Sequence, residues 1–178
     1  GFPAVTVQRT PDAFNEGILA VERGEPRIAA KVFGDRVHLD MSWWMPGVQA
    51  RHRTWNATLQ GMGLAAAGDT TAVRNLADSV ELWGQASAYG RDRKAHHYLR
   101  GLVLAAANRH DDAVREFRAA IHSPSLGFTR VNYELARSLM HLGRSQEAVT
   151  ALQPALRGEV DASNLYITRT ELHELLAQ

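Results

Sequence analysis

Three stretches of this 178-residue chain can be laid over one another. The first runs from Trp55 and Leu59 to Gly68-Asp69, then through Ala72, Val73 and Leu76. The second runs from Tyr98 and Gly101 through Asn108 to Ala113, Phe117 and Ala120, and the third from Tyr133 and Ala136 through Gly143 to Ala148 and Leu152. Each reads as helix, tight turn, helix. The Asp-Ala-Val step at Ala113 and the Glu-Ala-Val step at Ala148 lie 35 residues apart, whereas Ala72 precedes Ala113 by 41, the extra residues falling in the polar stretch from Gly84 to Lys94. Apolar residues recur at three- and four-residue spacing: Ala113, Phe117, Ala120 and Ile121 in one helix, and Ala148, Leu152, Ala155 and Leu156 in another. That is the period of a helix that buries one stripe. Small residues at Gly101, Ala113, Ala136 and Ala148 let paired helices approach closely; a larger side chain there costs about 1–3 kcal/mol of overpacking.

On these residues, positions 53–162 resemble tetratricopeptide repeats. The family stacks antiparallel helix pairs of about 34 residues, with small residues at the helix contacts. Residues 94–162 match best, pairing Gly101 with Ala136, Asn108 with Gly143, Ala113 with Ala148 and Ala120 with Ala155. The proline that follows a repeat's second helix is met only loosely by Pro124, and Pro154 falls inside a predicted helix. The resemblance implies an all-α fold, a right-handed superhelical stack of antiparallel helix pairs (an α-solenoid).

Outside the three pairs the signals are weaker. Thr10-Pro11-Asp12 reads as an N-cap with proline at the first helical position. A helix then runs to Glu22 and ends at Arg23-Gly24, and Pro26 starts a second helix toward Phe33, so residues 11–52 hold divergent N-terminal helices. Residues 1–10 read as a short extended arm, with strand-like alternation over 1–9. Residues 163–178 read as one more helix carrying Leu165, Leu172 and Leu176 along one side, the first helix of a pair whose second helix is missing.

Composition removes several function classes. Twenty basic residues against nineteen acidic ones, spread evenly over both halves, leave no excess for neutralising phosphates, and no nucleic-acid partner is expected. No cysteine is present, which excludes disulfide scaffolds, thiol catalysis and cysteine-ligated metal sites. No stretch approaches the roughly 18 apolar residues of a membrane span, so membrane insertion is not expected. The chain opens at Gly1 without a signal pattern, as a processed product or an excised piece would, and its compartment stays open.

The residues that could carry chemistry have local explanations. Adjacent His96 and His97 point about 100° apart on a helix, an awkward geometry for one ion. His173-Glu174 lacks the second histidine of a zinc-protease helix, since position 177 is alanine. Asp111-Asp112 suit a helix start. Gly61, Gly63 and Gly68 form no phosphate loop, no Gly-x-Ser-x-Gly elbow occurs, and Asn56-Ala57-Thr58 matches a glycosylation triplet only in mid-helix. No catalytic, metal or cofactor site is predicted.

By the resemblance, the groove lined by the first helix of each pair holds an extended or helical segment of another protein. Carried over position by position, its residues are Tyr98, Leu102, Arg130, Tyr133, Arg137, Met140 and His141. Tyrosine and arginine are the types that anchor interfaces, although Tyr98 and Tyr133 could instead pack against neighbouring helices. The Trp43-Trp44-Met45-Pro46 run is either a plug at the junction with a helix beginning near Val48, or an exposed aromatic contact surface.

Three functions follow. The first is a non-catalytic scaffold that binds other proteins. The second is a subunit assembling end to end with its own copies into a ring or filament, through Phe2, Val5 and Val7 of the arm, Trp43 and Trp44, and Leu165, Leu172 and Leu176 of the last helix. The third is the docking or regulatory portion of a larger bacterial protein.

Overall fold

The computed structural model describes residues 10–122, 129–157 and 169–178. Nine α-helices appear among them, and no strand: α1 (Thr10–Glu22), α2 (Pro26–Val37), α3 (Pro46–Ala66), α4 (Thr70–Ala86), α5 (Ala95–Ala106), α6 (His110–Ala120), α7 (Thr129–His141), α8 (Ser145–Leu156) and α9 (Arg169–Leu176). A short 3-10 helix, Gly90–Lys94, joins α4 to α5. Residues 1–9 of the arm and Pro124 lie outside the described residues, and Thr10 already belongs to α1.

One device closes every pair. At Gly24, Gly68, Asn108 and Gly143 the backbone turns left-handed, with φ of 67°, 83°, 58° and 70°. In each case the next residue's N–H donates back to a carbonyl five residues earlier: Glu25 to Ala20, Asp69 to Leu64, Arg109 to Leu104 and Arg144 to Leu139, all at 2.8–2.9 Å. This double-bonded C-cap satisfies the last carbonyls of the first helix and reverses the chain within three residues. Glycine takes that conformation freely, and asparagine is the residue that most readily replaces it. The α1–α2 unit therefore closes by the same turn as the three pairs that follow it.

Packing runs along the stack. Each helix meets the next one in sequence, and the first helices also meet each other, α3 against α5 and α5 against α7. The core threads through all pairs: Phe33, Leu59, Leu99, Tyr98, Phe117, Leu139 and Leu152 are fully buried. Small residues set the close approaches. A Cβ on Gly101 would stand 2.6 Å from Phe117 Cδ1, one on Gly61 2.6 Å from Leu99 Cδ2, and one on Gly17 2.6 Å from Phe33 Cζ.

Several boundaries differ from expectation. The helix expected to begin near Val48 starts at Pro46, where the missing N–H costs nothing, so the break expected at residue 52 falls inside α3. The tryptophans before it do not plug a junction, because Trp43 is 72% and Trp44 47% exposed. Gly84 lies within α4, where the lack of a side chain admits the 3-10 backbone: a Cβ there would be 2.5 Å from the Asp92 carbonyl oxygen. Asp92 is itself fully buried and accepts from Ser87 Oγ at 2.6 Å and Trp55 Nε1 at 3.2 Å, which ties the long connection down onto α3. Asp112 lies in the first turn of α6 but bonds to Arg109 and Arg115 rather than capping free N–H groups.

The last helix is also better covered than its sequence suggests. Leu172 and Leu175 are buried in the common core, Leu176 packs partly against it, and α9 contacts α8. Arg130 at the start of α7 reaches Glu171 with two nitrogens, at 2.7 and 3.4 Å. Leu172 is thus covered within the chain. Leu165, Phe2, Val5 and Val7 lie outside the described residues.

Candidate partner-binding groove

The first helices converge around a cavity of about 710 Å³. The end of α3 gives it a floor of small and flexible side chains, Met62, Gly63, Ala65 and Ala66. Leu102, Ala105 and Ala106 of α5 continue that floor one repeat further along. Five residues of α7 form a polar wall: Arg130, Glu134, Arg137, Ser138 and His141, with Glu171 of α9 closing one end and Val21, Gly24 and Pro26 the other. Alanine and glycine at helical spacing make the floor wide, while the α7 residues at i, i+4, i+7 and i+8 share one face. An apolar bed with convergent polar groups on one side is the usual form of a binding cleft.

The polar wall is internally paired. Arg130 is 8% exposed, and Arg137 donates to Glu134 at 3.0 Å. Burial opposes the charge on Arg130, but the Glu171 and Glu134 carboxylates more than offset this and hold its proton more firmly than usual. Burial pushes the Glu134 carboxyl above the ordinary carboxylate range, with Arg137 and Arg130 pulling it back. At the rim, His110 of α6 and His141 of α7 stack with ring centroids 4.3 Å apart and planes 9° apart. Burial, then His141 and Arg137, holds His110 below the ordinary imidazole range.

Of the predicted groove residues, Tyr98, Leu102, Arg130, Arg137 and His141 border this one cavity. They do not play equal parts. Tyr98 is fully buried beneath the cavity, its ring 6.2 Å from that of Phe117, so it is a core residue whose edge reaches the floor. Its hydroxyl finds no hydrogen-bond partner among the described residues, and burial pushes its ionisation far above the usual phenol range. Tyr133 and Met140 stand off the cavity: Tyr133 lies between Arg130 and Arg137, 5.3 and 5.7 Å from their guanidinium carbons, and Met140 packs against the core. Sequence reasoning missed Glu134 and Glu171. The first was readable, since it lies four residues after Arg130 and three before Arg137 on one helix. The second depends on the tertiary placement of α9. Among the described residues no group of three or more histidine, aspartate or glutamate side chains is placed to hold a metal ion, and no helix is long and apolar enough to cross a membrane.

Comparison with protein-family models matches residues 72–126, from α4 through α6, to the tetratricopeptide repeat. No curated protein matches the chain. The match covers the helices that carry Gly101, Ala113, Phe117 and Ala120, and the pairs before and after it close with the same turn and pack in the same order. Residues 72–126 thus carry a tetratricopeptide repeat, a module of the kind that serves as a protein-interaction scaffold, set within a helical-repeat solenoid.

Proposed function

We propose that this chain is a non-catalytic scaffold that holds a segment of another protein in the groove formed by α3, α5 and α7. The observation that carries the reading is the alignment of five predicted groove residues around one cavity with an alanine-rich floor and a polar wall. A segment lying on Leu102, Ala105 and Ala106 would bury its apolar side chains there and direct polar groups toward Arg137 and His141. The chemistry of the wall also favours binding over turnover. Its arginines and glutamates are paired with each other.

The cover already given to Leu172 and Leu175 favours this reading over self-assembly through the last helix. A docking role within a larger bacterial protein uses the same groove and makes the same prediction. The test is selection of a displayed peptide library on the whole chain, followed by measurement of the selected peptides on Leu102→Arg. A charged side chain on the floor should weaken them at least tenfold, the loss typical of removing an interface anchor. Unchanged affinity would move the binding surface elsewhere.

A further inference from the structure

The last helix is built differently from the pairs before it. Each of α1 to α8 belongs to a two-helix unit, whereas α9 has no paired helix among the described residues. It is eight residues long, below the roughly 12 at which an isolated helix begins to hold in water. Its place is therefore set by what it touches. Leu172 and Leu175 are buried, while His173 and Glu174 face solvent. Glu171 meets α7, where its two oxygens accept from the two terminal nitrogens of Arg130 at 2.7 and 3.4 Å. Both members of this pair line the groove, so the contact that fixes α9 also closes that end of the groove.

The pair is arranged so that it can exchange. Breaking a buried ion pair ordinarily strands a charge. Here Glu134 lies one helical turn after Arg130 on the same helix. Burial holds the Glu134 carboxyl above the ordinary range, Arg137 and Arg130 pull it down, and Glu171 pushes it up as a like charge. Two carboxylates thus compete for the α7 arginines, and Arg130 keeps a counter-charge nearby when Glu171 leaves. The guanidinium fork sets the chemistry of the replacement, because two nitrogens side by side match a carboxylate.

We propose that α9 is an autoinhibitory strap at the end of the groove, and that the partner segment carries a carboxylate which takes Arg130 from Glu171 and releases the strap. Continuity with the seated helix selects this occupant. α9 displays the chemistry that this end already accepts, a carboxylate followed by leucines one and four positions later. The partner's part in this rests on the groove reading, whereas the exchange of α9 is measured without a partner.

The probe is a labelled synthetic peptide of residues 169–178, titrated by fluorescence anisotropy against the full chain. Tethered α9 competes with it at an effective concentration of about 1 mM, and since the tethered helix is seated, the free one should bind a vacated site below about that value. Glu171→Lys turns the attraction for Arg130 into repulsion. The variant should bind the peptide at least about tenfold more tightly than the unaltered chain, and Glu171→Gln should fall between the two. A twin peptide carrying the Glu171→Lys change should bind none of the three proteins. Peptides selected on the groove should bind Glu171→Lys at least about fivefold more tightly, the low end of ordinary coupling between sites. Their addition to the unaltered chain should speed amide hydrogen exchange over residues 170–176, as α9 is displaced. The proposal is overturned if neither Glu171 variant gains affinity for the peptide, if the twin binds as well as the original, or if exchange over 170–176 slows when a selected peptide binds. It is also overturned if selected peptides ignore Glu171→Lys while still losing affinity on Leu102→Arg, which leaves the groove standing. Indifference of those peptides to Leu102→Arg is the separate signature of a failed groove, so the two failures are told apart.

Discussion

Replacing Gly101 with alanine tests whether the small positions truly set the helix spacing. An alanine at this interior position of α5 would ordinarily help, since removing a mid-helix glycine gains about 0.5–1 kcal/mol. Here the added methyl group would come within 2.9 Å of three atoms of the Phe117 ring. That ring is fully buried against Tyr98, so it has no open side to move toward. Overpacking costs about 1–3 kcal/mol. Crowding outweighs propensity, and Gly101→Ala should destabilise the chain by about 1–2 kcal/mol. Urea unfolding followed by circular dichroism measures this, and the melting temperature should fall by roughly 2–4 °C per kcal/mol for a chain of this size. In a Phe117→Leu background the same change should cost much less, a coupling expected only of side chains in contact. Gly143→Ala makes the contrasting control: nothing lies within 4 Å of its added Cβ, so its cost is the left-handed backbone alone and is blind to Phe117. The reasoning fails if Gly101→Ala stabilises the protein, or if its cost is the same with leucine at 117.

Two further predictions concern buried polar groups. Tyr98→Phe removes a hydroxyl that has no partner among the described residues, relieving a desolvation cost; the variant should gain about 1 kcal/mol in urea unfolding, and a loss of that size would show that the hydroxyl is satisfied. His52, His96 and His110 are all held below the ordinary imidazole range, first by burial and then by the positive charge of Arg36, His97 and His141 respectively, although the Arg36 carbonyl pulls His52 part of the way back. Each binds its proton less readily folded than unfolded, so its contribution is present above the unfolded value near 6.5 and is lost as pH falls through the folded one. The urea midpoint should therefore drop between about pH 7.5 and about pH 5.5, and a His96→Gln, His110→Gln variant should lose less; an equal drop in both proteins would remove the histidines as the cause.

Helix pairing was legible because its signals are local. Gly68, Asn108 and Gly143 mark turns by backbone preference, and the stripes through Phe117 and Leu152 mark buried faces by spacing alone. The same logic places Leu102, Arg130, Arg137 and His141 around one cavity, since residues at matching positions of stacked repeats must face the same way. What escaped depends on contacts distant in sequence. Nothing around Leu172 announces that Arg130, 41 residues before Glu171, would fix α9 against the stack. Asp92 reads as one charge within an exposed basic run, Arg91-Asp92-Arg93-Lys94, yet it is fully buried because Trp55, Ser87 and Arg51 converge on it. Tyr98 was ambiguous in sequence, where a groove anchor and a core ring look alike; the packing against Phe117 places its ring in the core.

The central claim, that the α3, α5 and α7 face receives the partner, is tested most directly by photo-crosslinking. A peptide selected on the whole chain, carrying a benzophenone in place of one apolar residue, would be irradiated in complex and the attachment sites mapped by mass spectrometry. Adducts on Met62, Leu102, Ala105 or His141 and their neighbours on the first helices, suppressed in Leu102→Arg, are the expected result. Adducts confined to the outer helices α4, α6 and α8, with Leu102→Arg indifferent, would contradict it.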